Sequence, residues 1–315
     1  MSGTLHVVAT VAWSMLLLAE FRCEACDPPE MLRFLSYNVQ FLPGPGKFFN
    51  KRGQDDYRAV EIGRRTAEFD VVAFNEVFEI GPRAKILDEL KAAWGGNFHV
   101  YECPEPPADV RKYNAGLAVA SRFPIVETHH IPYSRTSTIQ QFGVFADEFA
   151  QKGALHARVR VPTNTGPLEI DVFCTHLDSK LASVRTTQID ELADFAATHS
   201  KAENPAVFLG DFNTRGNPPY QKDPDSDYNA LLSRLRKARP TTIDLWAEIG
   251  QGEGGTSDQT SPDGGRRIDY IFFSPPDDAP NRLVPKSVAV RPFLDERVVA
   301  LSDHSAVEAV FTIQP

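Results

Sequence analysis

The sequence predicts an α/β fold in which mixed β-sheets are covered by helices. Segments with helical apolar spacing alternate with β-rich runs, and several of those runs stand at hairpin distance, so the strands cannot all be parallel. A chain of 315 residues with 42% hydrophobic and 24% charged side chains can bury one large core, and no Gly/Ser tract or charge run divides it. One domain over residues 31–315, preceded by an N-terminal extra over 1–30, is the expected organisation.

In chain order, residues 7–19, VVATVAWSMLLLA, form an uncharged run that is short for a bilayer span and suited to a signal-peptide core. No Lys or Arg precedes it, and Met31 stands directly before the first strand. Export through a signal peptide over 1–30 is one expectation; a mobile tail over 1–30, or a start at Met31 with a cytoplasmic location, are the alternatives. From Leu32, LRFLSYN has strand composition, and the Pro/Gly-rich FLPGPGK leads towards a helix near Tyr57 to Phe69. DVVAFNEVF follows as a buried strand. Ile86, Leu87, Leu90 and Trp94 recur at helical spacing, so 82–94 should lay one face on that strand's sheet. AGLAVAS at 115–121 and PIVETHHI at 124–131 are shorter strands separated by a turn at Arg122 and Phe123.

A second set repeats the pattern: strands near 154–161 and 168–175, a helix from about Leu181 to His199 with Val184, Ile189, Leu192 and Phe195 as its apolar stripe, and VFLG at 207–210. Residues 212–227 and 250–267 are rich in Gly, Pro, Asp and Asn, which marks surface loops able to carry function. IDYIFF at 268–273 and SAVEAVFTI at 305–313 are the last strands.

The formal charge of −9 and a pI near 5.4 set a global field that repels phosphate backbones and anionic lipid surfaces. A polyanionic partner must therefore be held locally, by a metal or a basic rim; nucleic acid is disfavoured, and no stable protein partner is implied. Cys23, Cys26, Cys103 and Cys174 are too few and too scattered for a disulfide framework. Cys174 lies in an apolar run and reads as a buried free thiol. Cys23 and Cys26 have metal-like or redox-like spacing without a second pair, so an unpaired leader segment is the plainer expectation.

Polar residues recur at strand ends, where a sheet delivers side chains to a common edge. Asn38 closes the first strand in SYNVQ, Glu76 follows DVVAF, His176 follows DVFCT, Asp211 and Asn213 stand in GDFN, and Asp303 and His304 in SDH. Such a set suits a phosphodiester, whose negative oxygens repel nucleophiles and call for a hard cation. Glu76 with Asn38 nearby is a candidate cradle for Mg2+, with Mn2+ or Co2+ as substitutes; the plain alternatives are a solvated Glu and an Asn bonding local backbone. Asp211 and Asn213, two apart, project to one side of an extended or gently turned backbone and could hold one water; a simple Asp/Asn turn is the alternative. Asp303 and His304 are adjacent, so both serve one site only from a bend, where His304 can take a proton from water. Asp269 is the candidate that fixes the His304 tautomer, unless it pairs with Arg266 or Arg267. His176 could polarise a phosphoryl oxygen or protonate a leaving alkoxide, or be a satisfied strand-end histidine. The other six of the eight histidines carry no comparable context.

SYNVQ, NEVF, GLAVASRFPIV, THL, VRTTQ, GDFN, IDYI and SDH, in this order over 31–315, resemble the endonuclease/exonuclease/phosphatase superfamily. The resemblance implies a four-layer α/β/β/α sandwich of two packed mixed sheets and a magnesium-supported catalytic site between them. It makes Glu76 and Asn38 the metal site, Asp211 and Asn213 the nucleophile-positioning pair, His304 the base oriented by Asp269, and His176 the second catalytic histidine. Within that superfamily the neutral sphingomyelinases look closest, through YNVQFLP, NEVFE, NAGLAVASRFPIVE, KGALHARV after an acidic loop, and THL followed by SVRTTQ. This implies hydrolysis of sphingomyelin, a phospholipid met at a membrane surface, to ceramide and phosphocholine. A nuclease or inositol-phosphate phosphatase of the same superfamily, or a binding protein that kept the fold without catalysis, are the alternatives. Two departures stand out: only DSKLAS separates THL from VRTTQ, and 294–301 lacks the paired aromatics of a membrane-binding hairpin, leaving Phe293 as a poor anchor.

Overall fold

The structure is a computed structural model that describes residues 28–43, 46, 53–107, 113–143, 147–262, 264–277, 279–280 and 282–314. Cys23, Cys26 and the apolar run at 7–19 lie outside the described residues. Two six-stranded sheets face each other. The first runs, edge to edge, β11 (Leu283–Arg291), β14 (Ala306–Ile313), β1 (Met31–Phe41), β2 (Val71–Val77), β4 (Ala118–Ser121) and β3 (His99–Glu102). The second runs β5 (Ile125–Pro132), β6 (Gly153–Val161), β7 (Leu168–His176), β8 (Ala206–Asp211), β10 (Asp269–Ser274) and β9 (Ile243–Asp244). A small hairpin, β12 (Leu294–Asp295) with β13 (Val299–Ala300), stands apart.

Strand alternation sorts the apolar residues into three cores. Leu32, Phe34, Val71 and Ala73 of the first sheet meet Leu155, Ala157, Val172 and Leu209 of the second between the sheets. Leu35, Tyr37, Val72 and Phe74 point outward onto the Asp55–Thr66 and Ile80–Trp94 helices, through Ile62, Ile86 and Leu90. Phe173 and Phe208 point outward onto the Ala182–His199 and Asp227–Ala238 helices, through Leu192, Leu231 and Leu235. The result is the expected α/β/β/α sandwich.

Each sheet contains one parallel pair, β1 with β2 and β7 with β8, joined by a helical crossover. The C-terminal ends of the two pairs lie together: Asn38 is in register with Asn75, and His176 with Asp211. β10 and β14 run antiparallel to β8 and β1, so their first residues arrive at the same end, with Asp269 opposite Asp211. Within the second sheet, Gly210 permits the close pairing of β8 with β7: at φ 147, a Cβ there would lie 1.9 Å from the Thr175 carbonyl oxygen.

Most elements fall where the sequence places them. The additions include the Asp227–Ala238 helix, β3, β9, β11 and the β12–β13 hairpin. That helix is capped by Ser226, whose hydroxyl accepts from the Asn229 N–H. β11 contains Pro285, tolerated because the strand is an edge with a register shift between Pro285 and Ser287. Cys174 is buried and free, as expected, and Cys103 is free as well. Among the described residues no helix is long and apolar enough to cross a membrane.

Candidate active site

The shared sheet end opens into a cavity of about 270 Å³ lined by Glu76, His176, Asp211, Asn213 and His304. Lys152, Asp147 and Arg266 also border it. Asn38, Asp269 and Asp303 stand behind this lining. Asn38 Nδ2 donates to Asp211 Oδ2 (3.2 Å), Asp269 holds His304, and Asp303 accepts from Gln40 Nε2 (2.6 Å).

Glu76 reaches the cavity through a break in alternation. Val71 and Ala73 face the inter-sheet core, so Asn75 follows them inward and Glu76 should face the helices. Asn75 does point inward, where its Nδ2 donates to the Thr175 carbonyl on the opposite sheet (2.8 Å). Glu76 takes the left-handed conformation, φ 61, which costs a non-glycine residue about 1–2 kcal/mol. That turn brings its carboxylate to 3.8 Å from His176 Nε2.

Asp211 is buried, and each of its carboxylate oxygens accepts a hydrogen bond. Oδ2 accepts from Asn38, and Oδ1 accepts the Asn213 N–H at 2.9 Å. Asn213 is also left-handed, φ 49, and its Nδ2 donates to the Leu177 carbonyl at 3.0 Å. The pair does face one cavity, by a tight side-chain turn rather than an extended run.

Residues 301–304 form the bend that the Asp303–His304 adjacency requires. His304 Nδ1 donates to Asp269 Oδ2 at 2.8 Å, and its Nε2 lies 3.9 Å from Asp211 Oδ2. Arg267 is not the partner of Asp269: it pairs with Asp244 at 2.8 Å and stacks on Tyr270. Asp269 accepts instead from Thr256, out of the Gly-rich 250–267 loop.

His176 carries a neighbour the sequence did not single out. Lys152 Nζ donates to His176 Nε2 at 2.8 Å and lies 3.3 Å from Asp147 Oδ1. Asp147 also accepts from the Ser179 N–H and hydroxyl, at 2.6 and 2.8 Å. Lys152 stood in the KGALHARV stretch and Asp147 in the acidic loop before it, but nothing in their spacing aimed them at the cavity. Arg266 was visible only as a candidate partner for Asp269.

Charge crowding perturbs the groups in opposite directions. Burial, reinforced by Asp303, pushes the Glu76 carboxyl up to about 7. Burial and then Asp269 raise Asp211. Burial and the Lys152 ammonium hold the His176 imidazolium down to about 3, so His176 is neutral. Burial alone would lower His304, but Asp269, by charge and hydrogen bond, and then Asp211 and Asp303 raise it well above the ordinary histidine value.

The Endonuclease/Exonuclease/phosphatase family model matches residues 35–304. The chain belongs to that family. Among curated members, Sphingomyelinase C of Bacillus cereus is 23% identical over 273 residues, across 78% of this chain and 75% of its own. Phospholipase C of Staphylococcus aureus is 23% identical across 92% of this chain and 90% of its own. The fold matches a Staphylococcus aureus beta toxin variant with bound magnesium ions at TM-score 0.64 and 20% identity, covering 88% of this chain and 98% of that one. Family membership and these likenesses support a phosphoric diester hydrolase that uses a divalent metal.

Proposed function

We propose that the protein is a magnesium-dependent phospholipid phosphodiesterase that hydrolyses sphingomyelin to ceramide and phosphocholine. The observation that carries this is the convergence of Glu76, His176, Asp211, Asn213 and His304, from both sheets, on one cavity. The relatives named sphingomyelinase C support the choice of head group.

The donor set fits a hard cation. Its close-lying groups include Asp211, Asp269 and His304. His304 Nδ1 is already committed to Asp269, so the Glu76 carboxylate, which lines the cavity, is the better cradle, with Asn38 behind it holding Asp211. Carboxylates that burial drives towards protonation are also ones a cation would keep ionised. Magnesium, when bound there, supplies positive charge against the phosphoryl oxygens.

The chain's own residues supply the rest. Water attacks phosphorus in line with the ceramide oxygen, oriented by Asp211 and Asn213; His304, raised in the metal-free site, would be neutral beside the positive charge of a bound cation, so its Nε2 takes the water's proton while Asp269 steadies the imidazolium. The phosphorus–oxygen bond to ceramide breaks, and the leaving oxygen takes a proton from the Lys152 ammonium, which His176 holds in place. His176 accepts from Lys152 and is neutral, so it acts there by hydrogen bonding, and the positive charge belongs to Lys152. Arg266 gives the cavity a second cation. A phospholipid is met at a membrane surface, and the apolar run at 7–19 supports export.

The test is a panel of sphingomyelin vesicles, lysophosphatidylcholine, inositol phosphates and plasmid DNA with added magnesium at fixed salt. Phosphocholine release from sphingomyelin is expected. No release alongside ready nicking of DNA would remove the lipid assignment.

A further inference from the structure

Away from the cavity, three histidines that are unremarkable in sequence come together on the outer face of the second sheet. His129 of β5 lies in register with His156 of β6 on the neighbouring strand. A bulge between Ile125 and Glu127 sets the face: Ile125 packs against the inter-sheet core, whereas Ile131, beyond the bulge and two positions after His129, packs against the helix-covered core. Glu127 and His129 alternate in phase with Ile131, and Glu127 Oε1 lies 3.0 Å from His129 Nε2. His199, the last residue of the Ala182–His199 helix, stacks on His129 with ring centroids 3.9 Å apart.

We propose that Glu127, His129 and His156, with His199 beside them, form a second metal site for a divalent transition-metal cation of the zinc class, separate from the catalytic cavity. One donor atom from each of Glu127, His129 and His156 lies within 4.8 Å of the others. Ligands around tetrahedral zinc at bond lengths near 2.0–2.1 Å are about 3.4 Å apart, so the set needs to close by about an ångström. Two imidazoles with one carboxylate favour zinc, nickel or copper over magnesium, which prefers all-oxygen shells.

An independent observation points to a ligand. His156 is fully buried, and its Nε2 lies 2.9 Å from Asp171 Oδ1. With Nε2–H donating to that carboxylate, Nδ1 keeps its lone pair, and this buried nitrogen has no hydrogen-bond partner. An unsatisfied buried acceptor costs about 1–3 kcal/mol. A histidine whose far nitrogen is fixed by a carboxylate is the arrangement that metal-ligating imidazoles adopt. Asp171 is itself steadied by the Lys201 N–H, Asn204 and Arg158. The competitor is Arg158, whose guanidinium also pairs with Glu127; metal binding would draw the Glu127 carboxylate away from it. Because β5 is an edge strand and Glu127 and His129 are partly exposed, a cation can enter from solvent.

The test is a zinc titration of the full chain by calorimetry in saturating magnesium, repeated on Glu76→Gln, His129→Ala and Glu127→Gln. One zinc equivalent is expected in the wild type and in Glu76→Gln, with affinity falling by about tenfold or more in each of the other two. Cobalt(II) should give tetrahedral absorption bands that His129→Ala removes. His129 and Glu127 are partly exposed, so both variants should fold, which their metal-free thermal midpoints check, and magnesium-supported hydrolysis should be unchanged in them. No zinc binding, equal affinity in His129→Ala and wild type, or loss confined to Glu76→Gln would each overturn the site. The titration needs no substrate, so its outcome is separate from that of the hydrolysis panel.

Discussion

The imidazole of His304 and the carboxylate of Asp269 meet at 2.8 Å, joining the bend before the last strand to the first residue of β10. Asp269 thereby fixes which nitrogen of His304 carries the proton and leaves Nε2 directed to the Asp211 side of the cavity. His304→Ala should lower kcat by about a hundredfold or more, and Asp269→Asn should do the same with little change in KM. The two residues act as one unit, so the double variant should be scarcely worse than either single. Additive losses in steady-state kinetics would separate the two roles.

The same pair gives a pH dependence of stability. His304 is raised above its unfolded value, so its stabilisation is complete below about 6.5 and is lost as pH rises through the folded value. Chelator-treated wild type should therefore lose thermal stability from neutral to alkaline pH more steeply than Asp269→Asn. Parallel curves for the two proteins in calorimetry would show that the pair is not the source.

Glu76 contributes with the opposite chemistry and the same sign. Its carboxyl is raised to about 7, so the metal-free fold is weakened as pH climbs from the ordinary carboxylate value of 4.5 through 7. Glu76→Gln is expected to raise the thermal midpoint of metal-free protein at pH 8, to erase the stabilisation that magnesium gives the wild type, and to abolish hydrolysis. A variant that still gains stability from magnesium would place the cation elsewhere.

Gly210 tests how β7 and β8 pair within the second sheet at the site, and Asn75 how the two sheets are held together there. A methyl group at Gly210 would collide with the Thr175 carbonyl and displace Asp211 next to it, so Gly210→Ala should cost several-fold in kcat as well as stability. Asn75→Ala removes the donor to that carbonyl and should cost about 1–3 kcal/mol in urea unfolding. If Gly210→Ala unfolds at the wild-type midpoint, the close approach of β7 and β8 is not tight in solution.

Residue pattern carried the element order and the strand-end polar residues, because burial periodicity and turn chemistry are local properties of the chain. Asn38, Glu76, His176, Asp211 and His304 could be picked out because each stands near one end of a strand whose apolar run is unmistakable. What needed the folded molecule was everything set by register and by departures from regular geometry. Alternation sends Glu76 the wrong way, and only its left-handed backbone returns it to the cavity. Lys152 and Asp147 belong to the site because β6 begins beside the end of β7, where Gly153 pairs with His176. His129, His156 and His199 are far apart in sequence and meet because a bulge and an antiparallel register place two strands and a helix end together. Local sequence specifies which segments become strands and helices; which side chains then touch depends on pairing between distant segments, whose energies no short window of residues contains.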